Sequence, residues 1–197
     1  MRLKRLIWLL LFAALVFVLP ARADTVTVNG TYAFANNGYG IPPYGGTLNN
    51  QTEQFFCVDF SSTIKAGDTW DVFITSLTGS NFSSTRLKDQ TKYLEMTWLI
   101  TKMMSATTQD QKAEYQYAIW SFTGGPNPYG TNGSLVAAAA AAIAGFSGQG
   151  WEILTPTGSL GQEFLIFVPE PGDLVLLMAG LLTLLIVQRR RLAARAI

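Results

Sequence analysis

The first half of the chain shows the short apolar runs that are typical of β-strands. Between residues 24 and 84, runs rich in Val, Thr, Phe and Tyr are separated by Gly, Asn and Pro. In the longest run, Trp70, Val72 and Ile74 fall on one face of the two-residue period of a strand. The predicted strands are 25–28, 54–60 and 69–77. Residues 36–50 are rich in Gly and Pro and are predicted to form a loop.

After residue 84 the apolar positions recur every three or four residues, which indicates helices. The first predicted helix covers 85–104, with Ser84 or Thr85 as its N-cap. The second begins near Thr108, which forms a capping-box pattern with Gln111, and stops at 124–126, where two glycines precede a proline.

A run of alanines at 137–142 predicts a third helix over 135–144, capped by Ser134. Residues 163–168 have strand character again. Strands followed by helices and a last strand are typical of the α+β class. We therefore expect an antiparallel β-sandwich or curved half-barrel with two or three α-helices packed beside it.

The composition excludes several classes of protein. The chain has 197 residues, of which 49% are hydrophobic and 14% charged, with one Cys and no His. Without His there is no Ser-His-Asp triad and no His-ligated metal centre, and a single Cys cannot form a disulfide within the chain. The sequence also contains no convincing pair of carboxylates of the kind that would indicate a hydrolase. We expect no catalytic residues, no metal and no cofactor, so the protein is not predicted to be an enzyme.

The charges are unevenly distributed along the chain. Residues 1–23 carry four basic and no acidic residues, whereas 24–168 carry six basic and eleven acidic residues, a net charge of −5. Nucleic acids are bound by clustered Lys and Arg, which this acidic middle lacks. Nucleic acid is therefore not an expected partner.

The N-terminus has the three parts of a cleavable secretory signal. A basic start precedes an apolar run from Leu6 to Leu19 and the small-residue pattern Ala21-Arg22-Ala23. Signal peptidase is expected to cleave after Ala23. The alternative is an uncleaved anchor, but fourteen residues of helix rise only about 21 Å, against a hydrocarbon core of about 30 Å.

The C-terminus also has a tripartite pattern. Its parts are Pro169-Glu170-Pro171, an apolar stretch over 174–187 that predicts a short transmembrane helix, and the cluster Arg189-Arg190-Arg191. The two prolines favour an extended joint, and the arginines favour the cytoplasmic side of a membrane. The sequence therefore predicts a tail that spans the membrane with its N-terminal side outside.

This tail resembles the PEP-CTERM sorting signal of exported proteins in Gram-negative bacteria. The resemblance covers residues 169–197 and implies that an exosortase in the inner membrane recognises the chain and cleaves it near the motif. It also implies a final place in the cell envelope, on the cell surface or in a biofilm matrix of exopolysaccharide. The alternative is an ordinary single-pass anchor. The predicted domains are thus a signal peptide (1–23), an exported ectodomain (24–168) and a sorting signal (169–197).

Two residues of the ectodomain stand out chemically. The sole cysteine, Cys57, lies in the apolar run Phe55-Phe56-Cys57-Val58. Gln116 lies on the apolar stripe of the second predicted helix, together with Ala113, Tyr117 and Trp120. A buried carboxamide left unpaired costs about 1–3 kcal/mol, so a specific partner is expected for it.

Together these residues resemble the thioester domains of bacterial surface adhesins, over about 55–123. The matching motifs are Phe56-Cys57-Val58 and Tyr115-Gln116-Tyr117-Ala118-Ile119-Trp120. The resemblance implies that Cys57 and Gln116 join as a thioester, which an amine of a surface or polymer then opens. Such a bond survives only if water is excluded, and Phe55, Phe56, Tyr117 and Trp120 are the expected cover.

Alternatives to this chemistry remain open. Asp59, expected on the same side of the strand as Cys57, is a candidate for moving a proton, although a turn or surface acid is the more ordinary role. Cys57 as a buried free thiol, with Gln116 bonded to backbone, is the structural alternative. The protein would then be a structural or carbohydrate-binding matrix protein. Its aromatic platform would come from Tyr39, Tyr44, Trp70, Tyr129 and Trp151.

Overall fold

The computed structural model describes residues 23–168, which contain eight strands, three α-helices and one 3-10 turn. The strands are β1 (Asp24–Val28), β2 (Phe34–Asn36), β3 (Tyr39–Ile41), β4 (Tyr44–Leu48), β5 (Gln51–Cys57), β6 (Thr69–Ser76), β7 (Trp151–Pro156) and β8 (Phe164–Phe167). The helices are α1 (Gln90–Ser105), α2 (Gln109–Ser121) and α3 (Asn132–Ala142), followed by the 3-10 turn Ile143–Gly145. The α+β class is confirmed. The predicted signal peptide and sorting tail lie outside the described residues.

Six strands close into an antiparallel barrel, in the order β1-β4-β5-β8-β7-β6, where a sandwich or half-barrel was expected. The barrel closes because β1 pairs with β4 on one side and with β6 on the other. Closure gives every strand of the barrel a neighbouring strand on both sides. The remaining strands, β2 and β3, form a separate hairpin.

The barrel strands have two apolar faces. One face fills the barrel with a cluster that includes Phe55, Trp70 and Phe164. The other face, which includes Phe56 and Leu165, packs against α1 and α2. Both faces are therefore buried over 55–57 of β5 and 164–166 of β8, and the apolar residues there run continuously instead of alternating with polar ones.

Side-chain caps mark the starts of α1 and α2. The first helix starts at Gln90, five residues later than predicted, because the carboxylate of Asp89 accepts hydrogen bonds from the N–H groups of Thr91 and Lys92. Thr85 instead bonds within the preceding turn, where its hydroxyl donates to Phe82 O. The start of α2 is confirmed, since Thr108 Oγ1 accepts from Gln111 N at 3.2 Å.

The predicted loop over 36–50 is wrong, since it contains β3 and β4 and the end of β2. Gly46 of β4 allows close packing, because a Cβ at this position would collide with Thr27 O and lie 2.8 Å from the ring of Phe55. The third helix begins at Asn132 rather than 135, and β7 occupies a segment for which no strand was predicted. No helix within 23–168 has both the length and the apolar character needed to cross a membrane.

Candidate functional site

Cys57 is the last residue of β5, and its side chain faces the interior of the barrel. It pairs with Phe164 of β8 and is completely buried. Its Sγ donates to the backbone oxygen of Asp59 at 3.2 Å and accepts from Trp120 Nε1 at 3.4 Å. Burial raises the pKa of the Cys57 thiol to about 12, because the thiolate would lose its hydration. The free thiol would therefore not react with reagents in solution at neutral pH.

Gln116 is brought to Cys57 by helix α2, which packs across the end of the barrel interior. Its side chain is also completely buried, and its Nε2 donates to the backbone oxygen of Cys57 at 2.9 Å. The Oε1 atom has no hydrogen-bond partner among the described residues. The carbonyl acceptor of Cys57 fixes the orientation of the amide, because a flipped amide would place two oxygens together.

An aromatic cover, formed by Tyr39, Phe60, Tyr117 and Trp120, lies over this pair. The ring of Tyr39 is 5.9 Å from that of Trp120 and 5.3 Å from that of Phe60, and Trp120 is 5.5 Å from Tyr117. Tyr39 comes from the β2–β3 hairpin and is 41% exposed, whereas Trp120 is 3% exposed. Trp120 thus covers Cys57 directly, and the more exposed ring of Tyr39 lies against Trp120.

Phe56, expected in the pocket, lies on the other face of β5. It packs against Trp151 at a ring distance of 5.9 Å, in the apolar layer under the helices. The reason is the pleat of the strand, which points neighbouring side chains to opposite faces. Phe55 and Cys57 share the inner face, as residues two apart must.

Asp59 lies two residues beyond the end of β5 and is completely buried, so it is not the surface acid considered above. It forms an ion pair with Arg86 and accepts a hydrogen bond from Ser61 N at 2.9 Å. The guanidinium also donates to Gly161 O at 2.9 Å. Asp59 is therefore a turn residue that, through Arg86, ties the segment after Cys57 to the segment before β8. Only its backbone oxygen contacts the thiol.

A second buried carboxylate, Glu163, was not identified from the sequence. It accepts from Tyr93 Oη at 2.6 Å, Thr155 Oγ1 at 2.6 Å and Arg86 N at 3.0 Å. Burial raises its pKa above the usual range, and these donors counteract part of that shift. The one sequence signal for its burial was its position directly before the apolar run 164–167. Its burial also depends on the hydrogen bond from Tyr93, which lies on α1.

A cleft of about 540 Å³ lies beside the aromatic cover. Its lining includes Tyr32 and Tyr39 from the β2–β3 region, Tyr44 from the start of β4, Phe60 and Trp120 from the cover, and Gln162. Tyr44 and Trp120 link the cleft to the buried pair, since Trp120 bonds Cys57 Sγ and the pKa of Tyr44 is raised by burial and by the nearby Cys57. Trp120 is thus shared by the lining of the cleft and the surroundings of the thiol.

The five residues of the predicted aromatic platform do not lie together in the structure. Trp70 and Trp151 are 9% and 5% exposed and belong to the two cores. Tyr129 packs against Tyr117 at 5.9 Å and accepts from Asn36 Nδ2. Only Tyr39 and Tyr44 of the five line the cleft.

Residues 23–168 contain no group of three His, Cys, Asp or Glu side chains that would hold a metal ion. The sorting residues Pro169, Glu170, Pro171 and Arg189–Arg191 lie outside the described part of the chain. Comparison with protein-family models, with curated proteins and with solved structures gave no match for this chain.

Proposed function

We propose that the protein is an exported envelope or matrix protein whose ectodomain forms an internal thioester between Cys57 and Gln116. One observation carries the proposal: the Gln116 carboxamide is fully buried against Cys57, with its Oε1 unpaired among the described residues. A structural glutamine would be expected to satisfy both ends of its amide, because an unpaired buried polar atom costs about 1–3 kcal/mol. A carboxamide that is positioned to react does not need a hydrogen-bond partner for its oxygen.

The reaction balances without any other reactant. Cys57 Sγ attacks the side-chain carbonyl carbon of Gln116, an S–C bond forms, and the C–N bond breaks. The thiol proton leaves with the amide nitrogen as ammonia. An amine of the target later attacks the same carbon, which forms an amide on Gln116 and returns the proton to the thiol of Cys57. Each chain reacts once, so the protein is a single-use reagent and not an enzyme.

The surroundings of the pair suit a bond that water must not reach. Both side chains are completely buried, and the aromatic cover lies between them and solvent. Exclusion of water protects a reactive acyl group from hydrolysis. Trp120 Nε1 is the donor closest to the sulfur, at 3.4 Å, and would stabilise negative charge on it when the thioester opens.

Intact mass tests the proposal. Purified residues 24–168 should be lighter than their sequence by one ammonia, and methylamine should restore one titratable thiol while modifying Gln116. The thiol must be titrated in denaturant, because a buried thiol with a pKa of about 12 stays unreactive in the folded chain whether or not it is free.

Two matched variants complete this test. Cys57→Ser and Gln116→Met should each have full sequence mass and should not react with methylamine. A wild-type ectodomain of full mass, with one thiol in denaturant before any amine is added, would contradict the thioester. The structural alternative, a buried free Cys57 in a non-covalent matrix protein, would then stand.

Export and sorting belong to the same proposal and rest on the sequence of the two ends. Signal peptidase and an exosortase are the proposed processing partners, and the inner membrane is the proposed site of anchoring before sorting. Exported material should begin at Asp24, and deletion of 169–197 should leave the ectodomain in the periplasm. A mature chain that still begins at Met1, or a truncated chain that reaches the same final place as the full chain, would contradict the respective part.

A further inference from the structure

We infer that Thr123 is a positioning residue for the proposed thioester, because its hydroxyl holds the segment after Cys57 against the helix that carries Gln116. Thr123 lies in the turn just beyond the end of α2. Its side-chain hydrogen bonds go to backbone groups and not to the side chains of the reacting pair. The inference rests on the proposed thioester and concerns how its two side chains are kept at bonding distance.

The first observation is that the Thr123 hydroxyl joins the end of α2 to the segment that follows β5. Its Oγ1 accepts from Phe60 N at 2.9 Å and lies 3.4 Å from Val58 O and 3.2 Å from Trp120 O. Trp120 O already accepts from Thr123 N and Gly125 N, so both of its lone pairs are in use. Val58 O is therefore the acceptor that remains for the hydroxyl proton. The hydroxyl thus bonds two residues of the segment after β5.

The end of α2 to which Thr123 belongs is itself fixed by close packing. Gln116, Trp120 and Thr123 are four and three residues apart, so they lie on one side of the helix and its last turn. A Cβ on Gly125 would lie 2.5 Å from Trp120 Cβ, so the turn after Thr123 lies directly on the backbone of α2. The bonds of Thr123 therefore also fix the position of Gln116 relative to Cys57.

The second observation is that the other hydrogen bonds across this contact use the reacting groups. Within 23–168, the bonds between 57–60 and 116–123 other than those of Thr123 run from Gln116 Nε2 to Cys57 O and from Trp120 Nε1 to Cys57 Sγ. The first is lost when Nε2 leaves as ammonia, and the second changes when Sγ is acylated. The bonds of Thr123 are the ones that persist through the reaction.

Two substitutions separate the hydroxyl of Thr123 from its shape. Thr123→Val keeps the shape but leaves Phe60 N without its acceptor, so the segment after β5 is no longer tied to α2. A displacement of about 1 Å can slow a reaction between two held groups about a hundredfold, so this variant should form the thioester at least about tenfold more slowly. Thr123→Ser keeps the hydroxyl and should react at the wild-type rate.

The test follows thioester formation in cells that export the full chain. After protein synthesis is stopped, exported protein is sampled at intervals, and intact mass gives the share of chains that have lost one ammonia. Rates are compared per folded chain, and the folded share of each variant is measured by protease resistance in the Cys57→Ser background, where no bond forms. Thr101→Val is the matched control, because the Thr101 hydroxyl donates to Trp98 O within α1, and it should react as the wild type does.

Each outcome decides for or against the positioning role. Slow formation in Thr123→Val with full recovery in Thr123→Ser supports it, and Thr123→Ala provides the same comparison if the valine variant does not fold. A wild-type rate in the valine variant, an equally slow serine variant, or an equally slow Thr101→Val would overturn it. A wild type of full mass would instead contradict the thioester itself, so the failure of the two proposals is distinguishable.

Discussion

A thioester between Cys57 and Gln116 would change the stability of the ectodomain by an amount that the fold allows us to calculate. The two residues are 59 positions apart. Closing a loop of that length restricts the unfolded chain and, on the relation used for disulfides, stabilises the fold by about 4 kcal/mol at 25 °C. Opening the bond with methylamine, without unfolding the protein, should therefore lower the free energy of unfolding by several kcal/mol.

Gln116→Met distinguishes the covalent from the non-covalent state by the size of its effect. Without a thioester, the variant removes an unpaired buried oxygen, which costs about 1–3 kcal/mol, but leaves Cys57 O without the Gln116 donor, which costs a similar amount. The two costs largely cancel, so its stability should lie within about 2 kcal/mol of that of the wild type. With a thioester, the variant loses the cross-link and should be about 4 kcal/mol less stable.

Urea unfolding of wild type, methylamine-treated wild type and Gln116→Met provides the measurement. It should be carried out at mildly acidic pH, with the mass checked after refolding, because an unfolded thioester is exposed to hydrolysis. Cys57→Ser treated with methylamine controls for effects of the amine elsewhere. Equal midpoints for treated and untreated wild type, together with a variant whose stability lies within about 2 kcal/mol of theirs, would refute the cross-link.

Three further predictions concern the frame around the site. Glu163→Gln should remove a pH dependence of the stability. Burial raises the pKa of Glu163, so ionisation of its carboxyl group destabilises the fold. As the pH rises from below 4.5 through the folded-state pKa, the wild type should therefore lose stability relative to the variant. A difference between the two proteins that does not change with pH in urea titrations would contradict this assignment. Arg86→Met should destabilise by about 3 kcal/mol, because it leaves the buried Asp59 carboxylate without its ion pair, whereas a loss below about 1 kcal/mol would show that the pair contributes little. Thr108→Ala should cost about 1 kcal/mol in thermal unfolding by removing the cap of α2, while Thr107→Ala, one residue earlier, should cost almost nothing.

The local elements could be predicted from sequence wherever the signal was local. The period of the apolar positions located the first two helices, and the alanine run located the third. The side chain of Thr108 determined the start of α2, because a cap acts within one turn. Cys57 and Gln116 could also be identified, since each is an unusual residue in an apolar run and burial of such a group demands a partner. The position of Phe56 away from Cys57 also follows from the pleat, which points neighbouring side chains of a strand to opposite faces.

The closure of the barrel could not be predicted, because it depends on pairing between strands far apart in sequence. The sequence of β4 resembles that of a glycine-rich loop. Its Gly46 is explained only by the tertiary structure, in which β1 and the ring of Phe55 lie too close to leave room for a side chain. Nothing in the local sequence distinguishes Asp59 and Glu163 from surface acids. Asp59 is paired with Arg86 and Glu163 with Tyr93, and both partners come from distant parts of the chain. The sequence by itself determined which residues need partners, whereas the tertiary structure decided which partners they have, since long-range contacts bring together groups that no local pattern relates.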